Sequence, residues 1–236
     1  MSALSTPTLL VEVGGKRIET RRAAIYSSDI APIAVLRFAY GVEISADALC
    51  TIKFSPSTKI APSVIFTGRI GLRGVVRDAV AWTDQRKLEA ELKARSYRSE
   101  RAARIAKDLI EAAGCTAGAL GLPDIEIGRF SWPDGTSAAV ALSRLLSSFE
   151  SYGASGYHYW FDAANKLDIG SGAVAGESLS FRPGHEILRS GPGWIDAEPV
   201  LVAAGQDIAV DGATKRATQA LLTISPRGSL VHVRYE

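Results

Sequence analysis

Two stretches of this chain repeat their apolar residues at helical spacing, and runs patterned with period two lie on both sides of them. In Ser99–Gly114 (SERAARIAKDLIEAAG), Ala102, Ile105, Ala106, Leu109, Ile110 and Ala113 share one face. Ser99 is the expected N-cap and Gly114 the terminator. The turn Pro133-Asp134-Gly135-Thr136 caps a second helix reaching about Tyr152, with Ala138, Ala141, Leu142, Leu145 and Phe149 inward and Gly153 at its end. Two helices with one apolar stripe each need a common cover, and the simplest cover is a small sheet.

The segment Gly156–Gly172 (GYHYWFDAANKLDIGSG) supplies it. Tyr157–Asp162 and Leu167–Ile169 read as strands joined through Ala163-Ala164-Asn165-Lys166, where Asn165 suits the left-handed turn position. Upstream, Leu9–Val13, Gly14-Gly15 and Lys16–Glu19 form a hairpin signal. Alternating runs follow at Val35–Ala39, Leu49–Phe54 and Val64–Ile70. KLEAELKAR (Lys87–Arg95) alternates strictly and is read as a strand, although its composition also suits a helix. A short strand is expected at Ile125–Phe130. Downstream come Val200–Val202, Ile208–Val210, the Asp211-Gly212 turn, Arg216–Ile224 and Leu230–Tyr235. The fold class is therefore α+β and mainly β.

Chemistry is sparse. Net charge is +2, which gives no general attraction to nucleic acid or anionic lipid. No apolar run approaches the ~20 residues of a bilayer span, and the N-terminus does not read as a secretory signal. Cys50 and Cys115 stand in unrelated contexts and read as two buried thiols in a reducing compartment rather than a disulfide. His158 and Asp162 would sit about 13 Å apart along a strand at ~3.3 Å per residue. His185 lies in a Pro-Gly turn beside Glu186, and His232 in the last strand. No histidine pair has zinc-site spacing, and there is no CxxC, G-x-S-x-G or P-loop. Lys93–Lys107 aligns Arg101, Arg104 and Lys107 in a basic stripe that suits a phosphate backbone, a protein partner or simple solubility.

The order of pieces resembles a known family. Phe66-Thr67-Gly68-Arg69-Ile70 fits an F-x-G-x-V/I strand, and Ala94-Arg95-Ser96-Tyr97 a strand ending in A-x-S-Y. Glu111-Ala112-Ala113-Gly114 closes a helix, and Gly135-Thr136-Ser137 opens another. Tyr157 to Gly170 fits an aromatic hairpin of the form Y-x-Y/W-F-D…x-L-x-I-G. Pro199–Val210 and Ser229–Val233 fit the closing strands. The chain thereby resembles the tail hub proteins of tailed bacteriophages, typified by the late control protein D of contractile phages. Their relatives include hub components of phage-derived injection machines.

The resemblance implies a β-barrel-like domain at 1–97, a small α+β domain with two helices over the aromatic hairpin at 98–175, and a C-terminal β segment at 176–236. That last segment would be a minimal or shared second barrel. It implies a structural baseplate hub subunit, assembled in the host cytoplasm into the virion. Homotrimeric rings of such subunits adapt the hexameric tail tube to a threefold tip. Its partners would be further copies of itself, tail tube or distal tail proteins, the tape measure protein and a central spike or tip protein. No catalytic, metal or cofactor-binding residue, no membrane anchor and no specific nucleic acid are implied. Exposed strand edges and the Gly176–Pro192 loop are the candidate interfaces. Two other readings compete: a carbohydrate or cell-wall binding module using Trp132, Trp160 and Trp194, and a hydrolase built on His158 or His185 with remote carboxylates.

Overall fold

The computed structural model describes residues 8–28, 32–55, 60–171, 179–225 and 228–236. The chain divides into two compact units, Met1–Thr83 with Ala173–Glu236, and Asp84–Gly172. The boundary expected at 175/176, and residues 176–178 of the candidate loop, lie outside the described residues.

The first unit opens with β1 (Thr8–Val13) and β2 (Lys16–Ile18). Gly14 and Gly15 both have positive φ, as a two-residue hairpin turn requires. After Glu19 alone the chain continues as β3 (Thr20–Ser28), then β4 (Ile33–Ile44), β5 (Ala48–Ser55), β6 (Ser63–Ile70) and β7 (Gly74–Trp82). The pairings run β2-β1-β5-β6-β7-β4-β3. As a hydrogen-bonded sheet this path is open rather than a closed barrel. The chain itself completes the circuit, because Glu19 joins β2 to β3 and its carbonyl accepts from Ala39 N–H of β4 at 3.0 Å.

Gly68 in β6 has a packing reason. A Cβ there would lie 2.6 Å from the Trp82 carbonyl oxygen and 2.7 Å from the Phe66 ring. The F-x-G pattern thus records a strand crossing too tight for any side chain.

The second unit begins with a 3-10 turn at Asp84–Glu89 and a short β8 (Glu91–Leu92). The strand expected over Lys87–Arg95 forms only at Glu91–Leu92 and at Arg95, where β9 opens. Lys87 Nζ is tied to Asp84 at 2.6 Å and to the Gly114 carbonyl at 2.9 Å, while Asn165 Oδ1 accepts from Asp84 N–H. These bonds wind the segment, and Leu88 and Leu92 are buried at helical rather than strand spacing. Next come β9 (Arg95–Arg101), α1 (Ala102–Ala112), β10 (Ala117–Leu120), β11 (Glu126–Trp132), β12 (Thr136–Ser137) and α2 (Ala138–Ser148). A 3-10 turn, Phe149–Tyr152, ends at Gly153 in the left-handed conformation.

All six apolar residues assigned to the first helix and all five assigned to the second are buried. Ser99 is not the N-cap. It lies in β9 with φ +48°, and Arg101 occupies the cap position without a side-chain bond. Instead Ala102 N–H donates to the Ile125 carbonyl, so neighbouring backbone replaces the capping hydroxyl. Ser137 caps α2 by accepting from Val140 N–H. The hairpin forms as β13 (Tyr157–Phe161) and β14 (Leu167–Ser171), with Asn165 at φ +62°. β14 also pairs with β10, in parallel.

The chain returns to the first unit as β15 (Leu179–Phe181), β16 (Ile187–Gly191), β17 (Trp194–Ala197), β18 (Asp207–Val210), β19 (Ala213–Ser225) and β20 (Gly228–Tyr235). Val200–Val202, expected as a strand, is not one. Its buried Val202 anchors a loop whose next residue but one, Ala204, donates its N–H to Ser27 Oγ. β15 pairs with β18, β18 with β19, β19 with β20, β20 with β17 and β17 with β16. A bridge between Pro183 and Ile187 brings the start of β16 to the end of β15, so the chain closes a second circuit. β19 pairs with β3 on its other side, which joins the two circuits in one 13-stranded sheet over one core.

Gly68→Ala is expected to cost about 1–3 kcal/mol through overpacking. Gly128→Ala, where a Cβ meets nothing, should stay within about 0.5 kcal/mol. Urea unfolding of both variants checks the difference.

Candidate functional site

The aromatic hairpin has two unlike faces. Tyr157, Tyr159 and Phe161 point one way. Tyr157 meets Phe149 edge-on at 5.3 Å, Tyr159 bonds Ser143 of α2, and Phe161 is buried. This face closes the small core. His158 and Trp160 lie on the other face, their rings 5.2 Å apart. Trp160 covers Gly170 and bonds Asp168, which also accepts from Ala119 N–H at 2.6 Å. Burial raises the Asp168 pKa above the ordinary carboxylate value. His158 Nδ1 faces the Gly156 carbonyl, and Asp162 accepts from Lys166 N–H. His158 is therefore joined to neither aspartate.

His185 stands in the Arg182–Glu186 turn, where the ion pair is made by Arg182 and Glu186. His232 is better connected than its position in sequence suggests. Its Nδ1 lies 2.7 Å from Oδ1 of buried Asp196, and Arg189 holds the other oxygen at 2.6 Å. The Trp194 ring leans on the imidazole at 5.6 Å. An aspartate oriented on a histidine is half of a hydrolytic array. No hydroxyl or thiol bonds this imidazole in the described residues, and the cluster is an ion-pair knot across β16, β17 and β20.

Each of the three candidate tryptophans has its own neighbours. Trp132 is buried between Tyr97 and Phe130 and donates to the Lys93 carbonyl. Trp160 and Trp194 are spent on Gly170 and His232. Both cysteines are free and buried, and burial pushes Cys50 up to about 12 and Cys115 up to about 11. Among the described residues no group of His, Cys, Asp and Glu could hold a metal ion, and no helix is long and apolar enough to cross a membrane.

The basic stripe is neutralised. Arg101 pairs with Asp124, Arg104 with Asp108 and Lys107 with Glu111. Uncompensated base lies elsewhere, where sequence reading missed it. Arg21 is the extra residue of a bulge between β3 and β4, and Arg77 alone faces Phe38–Gly41 across a larger irregularity between β4 and β7. Both bulges aim into one cleft of about 250 Å³, lined also by Arg37 and Asp78. Arg37 Nε donates to Asp78 at 2.7 Å, and Arg22 stands directly across from Arg37. Beyond the cleft β4 and β7 continue as a two-stranded ribbon carrying exposed Val75, while exposed Tyr40 lies in the irregularity itself. The sequence signal, Arg21-Arg22 and two arginines far apart, has no period, so only the bulges unite it.

No protein-family model matches the sequence, and no curated protein matches it. Solved structures do. The 43 kDa tail protein of prophage MuSo2 from Shewanella oneidensis superposes with TM-score 0.74 at 11% identity, over 98% of this chain and 97% of that one. The tail protein of Neisseria meningitidis MC58 gives TM-score 0.71 at 14% identity, over 97% and 96%. The c3393 protein of E. coli is a type VI secretion component described as structurally similar to T4 tail proteins gp27 and gp5. It gives TM-score 0.60 at 13% identity, over 95% and 75%. At such identities the likeness is one of fold, and the fold is that of phage tail proteins.

Replacing His232 by Ala removes a bond to a buried carboxylate and should cost about 1–2 kcal/mol. His158→Ala and His185→Ala should each stay within about 0.5 kcal/mol in the same denaturant titration. For the thiols the folded state keeps the proton where the unfolded chain, near 9.0, has lost it. Their contribution to stability is present below pH 9 and falls as pH rises toward 12. Unfolding midpoints measured across that range should decline less in Cys50→Ala.

Proposed function

We propose that this chain is a structural hub subunit of a phage tail or of a related injection machine. The observation that carries the reading is the superposition on phage tail proteins over nearly the whole length of this chain and of theirs. The role is mechanical. Its substance is the placing of strands and edges, and no imidazole, thiol or carboxylate is recruited for turnover.

The finer reading is a homotrimeric ring between the tail tube and the tip. Its support is the pair of strand circuits in one unit, the first from the N-terminal strands and the second, smaller one from the strands after residue 176. Three copies would present six such circuits in threefold symmetry, which suits a junction between a hexameric tube and a threefold tip. Closed rings also use strand edges that a lone subunit leaves open. Tube or distal tail proteins, the tape measure protein and a central spike or tip protein are the partners this position implies, in a virion assembled in the host cytoplasm.

Peptide mass spectrometry of purified tail-like particles tests the reading. The chain is expected in the particle at a few copies, far below tube protein. Its recovery only in the soluble fraction, while tube protein sediments, would overturn the proposal.

A further inference from the structure

We propose that the arginine cleft and the adjoining β4–β7 ribbon receive the acidic end of the C-terminal strands of a second copy of this chain. The inference rests on the ring reading above and names the contact that closes the ring.

The cleft is built rather than incidental. Bulges re-aim side chains that would otherwise stand in regular rows, and here two separate bulges point Arg21 and Arg77 at the same space. Placing Arg22 directly opposite Arg37 costs stability, because like charges in register repel. Among the described residues, Arg21, Arg22 and Arg77 have no carboxylate partner. Asp78 already sits on Arg37, so the cleft accepts carboxylate chemistry and keeps guanidinium in excess.

Its surroundings favour protein over nucleic acid. Tyr40 in the bulged segment and Val75 on the adjoining ribbon are more than half exposed, at 53% and 74%. Tyrosine and arginine beside apolar area are the usual composition of a protein interface. The ribbon also has free backbone edges, since β3 pairs with β4 only as far as Phe38 and β6 meets β7 only at Trp82 and Ala81.

The complementary surface lies on the same chain. Glu198 N–H donates to the Glu186 carbonyl, and Asp211 N–H to the Phe181 carbonyl, so the backbone brings these acidic residues to the same end of the second circuit. Glu186 is paired with Arg182, whereas Glu198 and Asp211 are exposed and have no basic partner among the described residues. A two-fold contact through the cleft would set arginine against arginine. Cleft to acidic end is a head-to-tail contact, the kind that closes rings.

Sedimentation equilibrium of the full chain tests this. The wild type is expected to assemble, and Arg21→Glu with Arg77→Glu should weaken self-association by about a hundredfold. Adding Glu198→Arg and Asp211→Asn to that chain should restore about tenfold or more of the loss. Asn is used at 211 because it tolerates the φ of +50° found there. If circular dichroism shows the double glutamate variant unfolded, Arg21→Gln with Arg77→Gln replaces it and must still weaken assembly. An assembling wild type with equally assembling variants overturns the contact and leaves the ring standing. A wild type that remains monomeric overturns the ring reading and the contact with it. Unchanged assembly with lost retention of a double-stranded oligonucleotide assigns the cleft to phosphates and overturns the proposal.

Discussion

The first unit depends on one strand having two long-range partners. β19 pairs with β20 on one side and with β3 on the other, and β3 lies almost two hundred residues earlier. Without that pairing each circuit is a small sheet with its own frayed edge. With it, Ile25 and Leu36 from the N-terminal strands and Leu222 and Val233 from the C-terminal ones enter a single core. Such non-local pairing must overcome the entropy of a large loop before it is rewarded. The long interdigitated strand interface is what offsets that cost. It also explains why two circuits that are each incomplete as hydrogen-bonded rings form a stable body.

Sequence pattern read the second unit well because its information is local. Helix periodicity found every buried position of α1 and all of those in α2 but Leu146, and Asn165 marked the hairpin turn. The errors came where a tertiary bond replaced a local rule. Ser99 has the right chemistry for a cap, but the Ile125 carbonyl was already in place. Lys87–Arg95 alternates like a strand, yet Asp84, Lys87 and Asn165 fasten it into a turn. β3, β7, β16 and β17 were not recognised, because strands without strict alternation, long or short, have no signature apart from their partners. The tail-protein order of motifs was legible for a different reason. Gly68, for one, meets a packing demand at the Trp82 backbone that no residue with a side chain satisfies.

The sites divide in the same way. Histidines attract attention as rare reactive groups, but in this fold one caps its own strand, one sits in a turn and one ties a buried aspartate. What the sequence could not reveal was Asp196, whose role exists only because β17 lies between β16 and β20. The arginine cleft was equally invisible, since its members are ordinary surface residues until two register shifts converge them. The stripe that was visible, Arg101 to Lys107, is matched pair by pair with carboxylates, and exposed pairs of that kind contribute little energy and no attraction at a distance.

Edges give the remaining charges a common logic. An open sheet proposed to join other copies, but not other strands at large, faces two opposed requirements. Its free strands have to be available to the right neighbour and hostile to every other strand. Charge on or beside the edge meets both. β2 carries exposed Lys16 and Arg17, and the β4–β7 ribbon adjoins the arginine cleft. A second ribbon approaching in the same orientation brings like charge and is repelled. An acidic surface is admitted, and it then finds Tyr40, Val75 and an unpaired backbone edge to hold it. Specificity here follows from a repulsion that only one kind of partner removes.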